Sequence, residues 1–230
     1  MDLLFKRLVG SDEEDRYNAA FQLHKMGRPA LERAIELSCS DCALAREMAC
    51  VVLGRVLDDR CEHQDIVNPT YFTDAIPILM KLVLTDPVPA VKASAAIALS
   101  FLSVTEALPI LCRWARHGCL RLRFGSALAL ANYSLRFWQA TEVLPHKPSV
   151  VNILIHLARD SDAEVRSWAI GALPNMSRYS KRIRQVLAIA LTDVDEDVRS
   201  EARYAIREFT DTVNSDPSTA NAKWSGEFDN

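Results

Sequence analysis

Apolar and small residues recur along the chain with the period of an α-helix. The stretch "EVRSWAIGAL" shows the pattern most clearly, and its packed positions are Val165, Ala169, Ala172 and Leu173. Spacings of four, seven and eight residues place these side chains on one face of a helix. Because two of the four positions are Ala, that face can approach a neighbouring helix closely. The pattern therefore predicts an amphipathic helix that packs through small side chains.

The same pattern occurs six times, with its first packed position near residues 15, 45, 91, 122, 165 and 198. A second apolar helical segment precedes each copy, as "VVNILIHLA" does from Val150. A recurring pair of helices can bury its apolar face only against copies of itself. We therefore predict an all-α fold, a right-handed α-solenoid of about six helical hairpins.

The predicted repeat domain covers residues 1–210. Residues 211–230 are polar and lack a helical period, so we expect a flexible C-terminal tail. Two junctions between copies are longer than the others, and the additional residues begin near Asp58 and Ser134. Insertions in a solenoid gather on loops, where binding residues are often found. Alternatively, the insertions only change the curvature of the stack.

The repeated pattern resembles the HEAT repeat family over nearly all of residues 1–210. The resemblance implies that an Asp in the turn between two helices and a basic residue six positions later form bonds from repeat to repeat. Three copies carry such a pair: Asp86 and Lys92, Asp160 and Arg166, and Asp193 and Arg199. Gly10, Ser40 and His117 take the acidic position in the other copies, so we expect this ladder to be broken in the first half.

Composition narrows the classes of function. The chain has 230 residues, is 49% hydrophobic and carries a formal charge of −3. No apolar run approaches the roughly 18 residues that a membrane span needs, and the first residues lack the signature of a signal peptide. We therefore expect a cytoplasmic protein without a membrane partner. The acidic balance disfavours nucleic-acid binding, which requires clustered basic residues. Two local basic segments, "RWARHGCLRLRF" and "RYSKRIR", keep it as an alternative.

The cysteines are the best candidates for metal chemistry. Cys39 and Cys42 form a close pair, followed by Cys50, Cys61 and His63. A structural zinc site usually needs two such pairs, and the second is missing. We find no glycine-rich phosphate loop, zinc-protease motif or nucleophile elbow. The sequence therefore predicts free thiols, no catalytic residue, no metal site and no cofactor.

One side of each second helix is expected to face a partner. If the first packed position faces the core, offsets −1, +3 and +10 lie on the opposite side, which lines the concave surface in HEAT proteins. This column is apolar near the middle of the chain and acidic at its ends. Exposed aromatic rings beside charge suit a protein-binding anchor, unless neighbouring repeats cover the rings. The predicted partner-binding residues are Glu14, Asn18, Asp58, Asp59, Glu62, Asp65, Phe101, Glu164, Trp168, Asp197, Glu201, Tyr204 and Glu208.

Three functions fit these features. The first is a non-catalytic, monomeric binding module. Small bacterial proteins that resemble HEAT arrays include immunity proteins, which bind and neutralise a toxin. Acidic columns would complement the basic cleft of a nuclease toxin. The second is a HEAT-like DNA glycosylase, for which Glu164 near Trp168 is the nearest match. The third is a lyase or assembly factor, since similar repeats occur in bilin lyases.

Overall fold

A computed structural model describes residues 1–56, 69–136, 147–176 and 181–215. Within these ranges the chain forms α-helices and no strand, which confirms the predicted all-α class. The helices are α1 (Asp2–Leu8), α2 (Glu13–His24), α3 (Arg28–Leu37), α4 (Ala43–Val56), α5 (Pro69–Thr85), α6 (Pro89–Phe101), α7 (Leu108–His117), α8 (Leu120–Arg136), α9 (Lys147–Leu157), α10 (Ala163–Met176), α11 (Lys181–Ala190) and α12 (Glu196–Ser215). A short 3-10 turn, Thr105–Ala107, precedes α7.

The helices pair in chain order, and the pairs stack into a solenoid. Each odd-numbered helix packs against the even-numbered helix that follows it. The even-numbered helices also pack on one another in sequence, from α2 to α12, and form one continuous layer. Each of the six predicted anchors falls in this layer. We call its solvent side the second-helix face.

Small side chains set the close spacing of the second-helix layer. A Cβ added at Gly125 of α8 would lie 2.6 Å from the Cβ of Ala93 on α6. A Cβ added at Gly54 of α4 would lie 2.9 Å from the Cα of Ala98, also on α6. Neither distance leaves room for a side chain, so both positions require glycine. Of these four residues only Ala98 belongs to the predicted stripe, so glycine and alanine beside the stripe also form the contact between successive second helices.

An ion-pair ladder joins neighbouring repeats. In each step the guanidinium of one second helix bonds the aspartate in the turn before the next second helix. The pairs are Arg46 and Asp86 at 2.7 Å, Arg123 and Asp160 at 2.7 Å, and Arg166 and Asp193 at 2.7 Å. Each arginine also donates through Nη1 to a carbonyl oxygen in the turn of its own repeat. The arginine thus fixes its own hairpin and the next one together.

The aspartates of the ladder are nearly buried and fully hydrogen-bonded. Burial alone would raise the pKa of Asp86, but the hydrogen bonds from Arg46 and from the Val88 N–H hold that pKa below its ordinary value. Hydrogen bonds from Arg166 likewise lower the pKa of Asp193. These carboxylates remain charged near neutral pH because the charged form receives the hydrogen bonds.

The ladder is broken in the first half, but one step that the sequence did not reveal is present there. Asp86 is bonded by Arg46, whose own repeat has Ser40 at the acidic position. The arginine of one repeat pairs with the aspartate of the following repeat. A repeat that lacks its own aspartate can therefore still donate hydrogen bonds through its arginine. Lys92 forms no ion pair within the described part of the chain, because the next acidic position is occupied by His117.

The ladder is interrupted between the first two repeats. Arg16 Nη1 donates to the carbonyl oxygens of Gly10 and Ser11, as its counterparts do in their own turns. Its Nε atom is buried and has no acceptor among the described residues. The equivalent acidic position in the next repeat is Ser40, whose hydroxyl accepts from the Cys42 N–H at 3.2 Å. Ser40 therefore reproduces the backbone contact of a ladder aspartate without reaching the arginine.

The last helix extends beyond the predicted end of the repeat domain. Helix α12 ends at Ser215, so the first five residues of the predicted tail are helical. Extending an existing helix costs little compared with starting a new one. Residues 216–230 lie outside the described residues. Every helix within the described ranges falls short of the length or apolar character that a bilayer crossing requires.

Candidate partner-binding site

A cavity of about 400 Å³ opens on the second-helix face between α8, α10 and α12. We call it the aromatic pocket. Its lining residues are Ala131, Ser167, Trp168, Gly171, Ala172, Pro174, Asn175, Glu201, Tyr204 and Ala205. Three of the predicted partner-binding residues, Trp168, Glu201 and Tyr204, thus line one cavity.

Two aromatic side chains line the pocket from different helices. Trp168 projects from α10 with 39% of its surface exposed, and Tyr204 projects from α12 with 58% exposed. Both lie beside buried positions of the packed stripe, Ala169 and Ala205. The two rings form no ring contact with each other or with other described residues. Both side chains are therefore partly accessible to a ligand.

Glu201 contributes an uncompensated carboxylate. Its side chain lies against Gly171, where an added Cβ would be 2.3 Å from Glu201 Oε1. The absent side chain at position 171 allows the carboxylate to approach the backbone of α10. Burial raises the pKa of Glu201, and no described residue gives it a hydrogen bond or an ion pair. A half-buried carboxylate without a cation is unfavourable unless a ligand supplies the positive charge.

More carboxylates surround the pocket without lining it. Asp197 is exposed in the first turn of α12, and Glu164 is exposed in the first turn of α10. Glu164 lines a separate cavity of about 290 Å³ together with Arg121 and Phe124. The glycosylase alternative combined Glu164 with Trp168, but the two side chains line different cavities.

The other predicted partner-binding residues are distributed elsewhere. Glu14 and Asn18 are exposed on α2, at the opposite end of the second-helix layer. Phe101 is half-buried and its ring lies against Gly54 of α4, so a neighbouring repeat covers part of it. The predicted residues Asp58, Asp59, Glu62 and Asp65 lie outside the described residues. Glu208 lies in α12, and its side chain is outside the described part of the structure.

In the middle of the second-helix face, offset +3 does not form the exposed column that the sequence predicts. Met48, Ser94 and Gly125, all at offset +3, are buried between helices. They are buried because the small residues bring the helices so close that this offset lies in the contact.

Glu47 and Arg121 occupy the exposed middle of the face instead. The Arg121 guanidinium donates to Glu47 Oε1 at 2.9 Å across α6, and it lies 5.9 Å from the centroid of the Phe124 ring. Burial, with the nearby Glu47, raises the pKa of Tyr17 beside this pair. Sequence reasoning missed Glu47 because its offset of +2 lay outside the chosen column, although a carboxylate on an Ala-rich helix was a visible signal.

In the described part of the chain, burial and ion pairing remove several residues of the basic segment "RWARHGCLRLRF" from an exposed surface, although Arg116 lines a cavity with His156 and Arg159. Trp114 is buried, so its ring cannot stack on a base. Arg121 and Arg123 are paired with Glu47 and Asp160. The second basic segment, "RYSKRIR", lies partly outside the described residues.

The cysteines do not assemble a site in the described part of the chain. Cys39 and Cys42 are exposed, whereas Cys50 is buried in α4. Burial raises the pKa of the Cys50 thiol far above its ordinary value, so that thiol is unreactive near neutral pH. No three His, Cys, Asp or Glu side chains meet in metal-binding geometry within the described ranges. Cys61 and His63 lie outside them.

Comparison with known families identifies the repeat. Residues 132–207 match the family model of HEAT repeats, which confirms the resemblance over the segment that contains most of the aromatic pocket. A search of proteins with curated descriptions gave no significant match.

Solved structures with the same fold cover most of the chain. YibA of Escherichia coli is 21% identical with a TM-score of 0.58, over 97% of this chain and 77% of YibA. A designed armadillo repeat protein, solved with the peptide (KR)4, is 15% identical with a TM-score of 0.56, over 90% of this chain and 98% of the other. A chain from the complex of CpcE and CpcF of phycocyanin lyase, from Nostoc, is 18% identical with a TM-score of 0.54, over 77% and 98%. At these identities the likeness establishes an α-solenoid fold and not a function.

Proposed function

We propose that this helical-repeat solenoid is a non-catalytic binding protein that captures a basic partner protein on its second-helix face. Its most concrete form is an immunity protein that occupies the basic cleft of a cognate bacterial nuclease toxin. The observation that carries the proposal is the aromatic pocket, where Trp168 and Tyr204 flank the uncompensated carboxylate of Glu201. A binding role of this kind needs no reactive group.

The charge distribution supports a basic partner. The chain carries a formal charge of −3. The C-terminal part of the second-helix face carries Glu164, Asp197 and Glu201, of which only Glu201 is half-buried. Complementary charge speeds the encounter of two proteins and disfavours wrong partners. Nuclease clefts are basic because they bind phosphate backbones, so such a cleft matches this surface.

Aromatic side chains supply the affinity that rim charges cannot. Binding energy concentrates in a few residues, among which Trp, Tyr and Arg are enriched. Trp168 and Tyr204 lie on adjacent second helices whose spacing is fixed by the packed stripe. Both rings are therefore held by helices, and binding does not carry the entropic cost of ordering a loop. The designed armadillo neighbour was solved with a peptide of alternating Lys and Arg, which indicates that a stack of this shape can present a face to a basic chain.

Co-expression with the adjacent open reading frame tests the proposal. We expect a tagged form of this chain to recover the neighbouring product as a one-to-one complex, measured by light scattering after size-exclusion chromatography. If the partner is a nuclease, the isolated partner should degrade nucleic acid and the complex should not. A chain that elutes alone, or a complex that retains full nuclease activity, would refute the immunity function. Recovery of nucleic acid without a protein partner would favour the alternative of a nucleic-acid-binding solenoid.

A further inference from the structure

We infer that the aromatic pocket is a receptor for one arginine side chain of the partner, held between Trp168 and Tyr204 with its guanidinium on Glu201. This inference rests on the proposed function, since it names the group that the second-helix face recognises. It commits to a single cationic side chain and not to an extended apolar segment.

The pocket has the dimensions of a side-chain site. Its volume of about 400 Å³ lies toward the lower end of the about 300 to 1,000 Å³ that small-ligand pockets span. Ala131, Gly171 and Ala172 form part of its lining, so the space between α8, α10 and α12 is not filled by the chain itself. A folded element of a partner would not fit, whereas a long side chain would.

The chemistry of the lining selects a cation. An aromatic face attracts a positive charge through its quadrupole, most strongly for Trp. Among the described residues of the lining Glu201 alone is acidic, and its raised pKa reflects burial without a described counter-charge. An arriving cation would remove that penalty. The pocket therefore gains more from a charged ligand than from a neutral one of the same shape.

The same lining favours arginine over lysine. A guanidinium is planar, stacks on aromatic rings and can bond both oxygens of a carboxylate at once. The ammonium of lysine is strongly hydrated and offers no flat face. Trp168 and Tyr204 come from two different helices, so they can contact an arginine from two sides. Asn175 lines the pocket as well and offers an amide oxygen to a remaining N–H group.

The indole N–H signal of Trp168 in a two-dimensional NMR spectrum reports directly on this pocket. Trp168→Phe assigns that signal by its loss. The probe is N-acetyl-arginine amide, titrated into the full chain near neutral pH. Its matched control is N-acetyl-citrulline amide, which has nearly the same shape but no charge. We expect a saturable shift of the Trp168 signal with the arginine probe and an at least tenfold weaker response to citrulline, because the charged hydrogen bond is lost.

Glu201→Gln keeps the size of the side chain and removes the charge. We expect it to weaken the response to the arginine probe at least tenfold. Glu32→Gln is the control, since it removes an exposed carboxylate on α3, outside the second-helix face, and it should leave the response unchanged. Equal binding of arginine and citrulline, or full binding by Glu201→Gln, would overturn the inference.

The outcome is separable from that of the proposed function. Probe binding at the pocket without any protein partner would leave the arginine site standing and refute the immunity function. A one-to-one complex with the partner that is as tight for Glu201→Gln as for the unmodified chain would keep the binding function and overturn the arginine site. Circular dichroism of each variant would show that the helix content is intact.

Discussion

Completing the interrupted step of the ladder should stabilise the protein. Arg16 Nε is buried without an acceptor, and Ser40 occupies the position from which Asp86, Asp160 and Asp193 bond the preceding arginine. The substitution Ser40→Asp places a carboxylate at that position. Its oxygens would accept from the Cys42 N–H, as the serine hydroxyl does, and from Arg16.

The expected gain is the balance of two favourable contributions and one unfavourable contribution. A hydrogen bond to a charged group contributes about 1.5 to 3 kcal/mol, and the present lack of an acceptor for Arg16 Nε adds a desolvation penalty that the new bond removes. Burying a carboxylate opposes both contributions. Because Ser40 and Arg16 are only half-buried, we expect a net gain of about 1 to 2 kcal/mol. This corresponds to a rise in melting temperature of roughly 2 to 8 °C for a chain of this size.

Urea unfolding of a double-mutant cycle measures this gain. The cycle combines Ser40→Asp with Arg16→Met, which removes the guanidinium and keeps most of the side-chain volume. We expect Ser40→Asp to stabilise the unmodified chain and to give no gain when Arg16 is Met. Repeat arrays can unfold in steps, so hydrogen exchange of α2 and α4 should accompany the unfolding curves. A gain of equal size in both backgrounds would show that the carboxylate stabilises the protein without bonding Arg16.

Three further predictions concern the ladder and the pocket. Asp86→Ala leaves the buried guanidinium of Arg46 without its partner and should lower the free energy of unfolding in urea by about 3 kcal/mol. Glu36→Ala removes an exposed ion pair and should lower it by under about 1 kcal/mol. Equal losses would contradict this. Glu201 has a raised pKa, so its charged form destabilises the fold above that pKa. Relative to Glu201→Gln, the free energy of unfolding of the unmodified chain should fall as pH rises from about 4 to 7. A difference between the two proteins that does not change with pH would refute this. Gly171→Ala displaces the Glu201 carboxylate and should therefore weaken binding of the arginine probe. The melting temperature should stay the same or rise, because alanine favours the helix more than glycine does. Unchanged probe binding would contradict this prediction.

The fold could be predicted from the sequence because each repeat carries the same stripe of packed positions. Val165, Ala169 and Ala172 are buried as their spacing requires. The partners in the ladder could not be read from one repeat alone. Arg46 bonds the aspartate of the following repeat, 40 positions away, so the pairing depends on the stacking order.

The candidate site could be predicted only in part. Trp168 and Glu201 lie at offset +3 of the predicted column, and both line the aromatic pocket. Tyr204 lies at offset +6, outside that column, and lines the same pocket, so its neighbours could not be predicted from the offsets. That these residues bind a partner remains a prediction. Offset +3 failed in the middle of the chain, since contacts such as that of Gly125 with Ala93 bring the helices too close for an exposed column there. Burial at that offset depends on the distance between two helices. The periodicity of one helix in the sequence does not predict that distance.

The affinity of the second-helix face for its partner shows whether Trp168, Asp197 and Glu201 form the interface. The variant combines Trp168→Ala with Asp197→Lys and Glu201→Lys. Its control combines Glu32→Lys with Glu36→Lys, which makes the same change in net charge on α3. We expect calorimetry to show binding at least about a hundredfold weaker for the first variant and nearly unchanged for the control, with equal helix content in both. Equal weakening of both would mean that only net charge matters, and unchanged binding of the first variant would place the interface elsewhere.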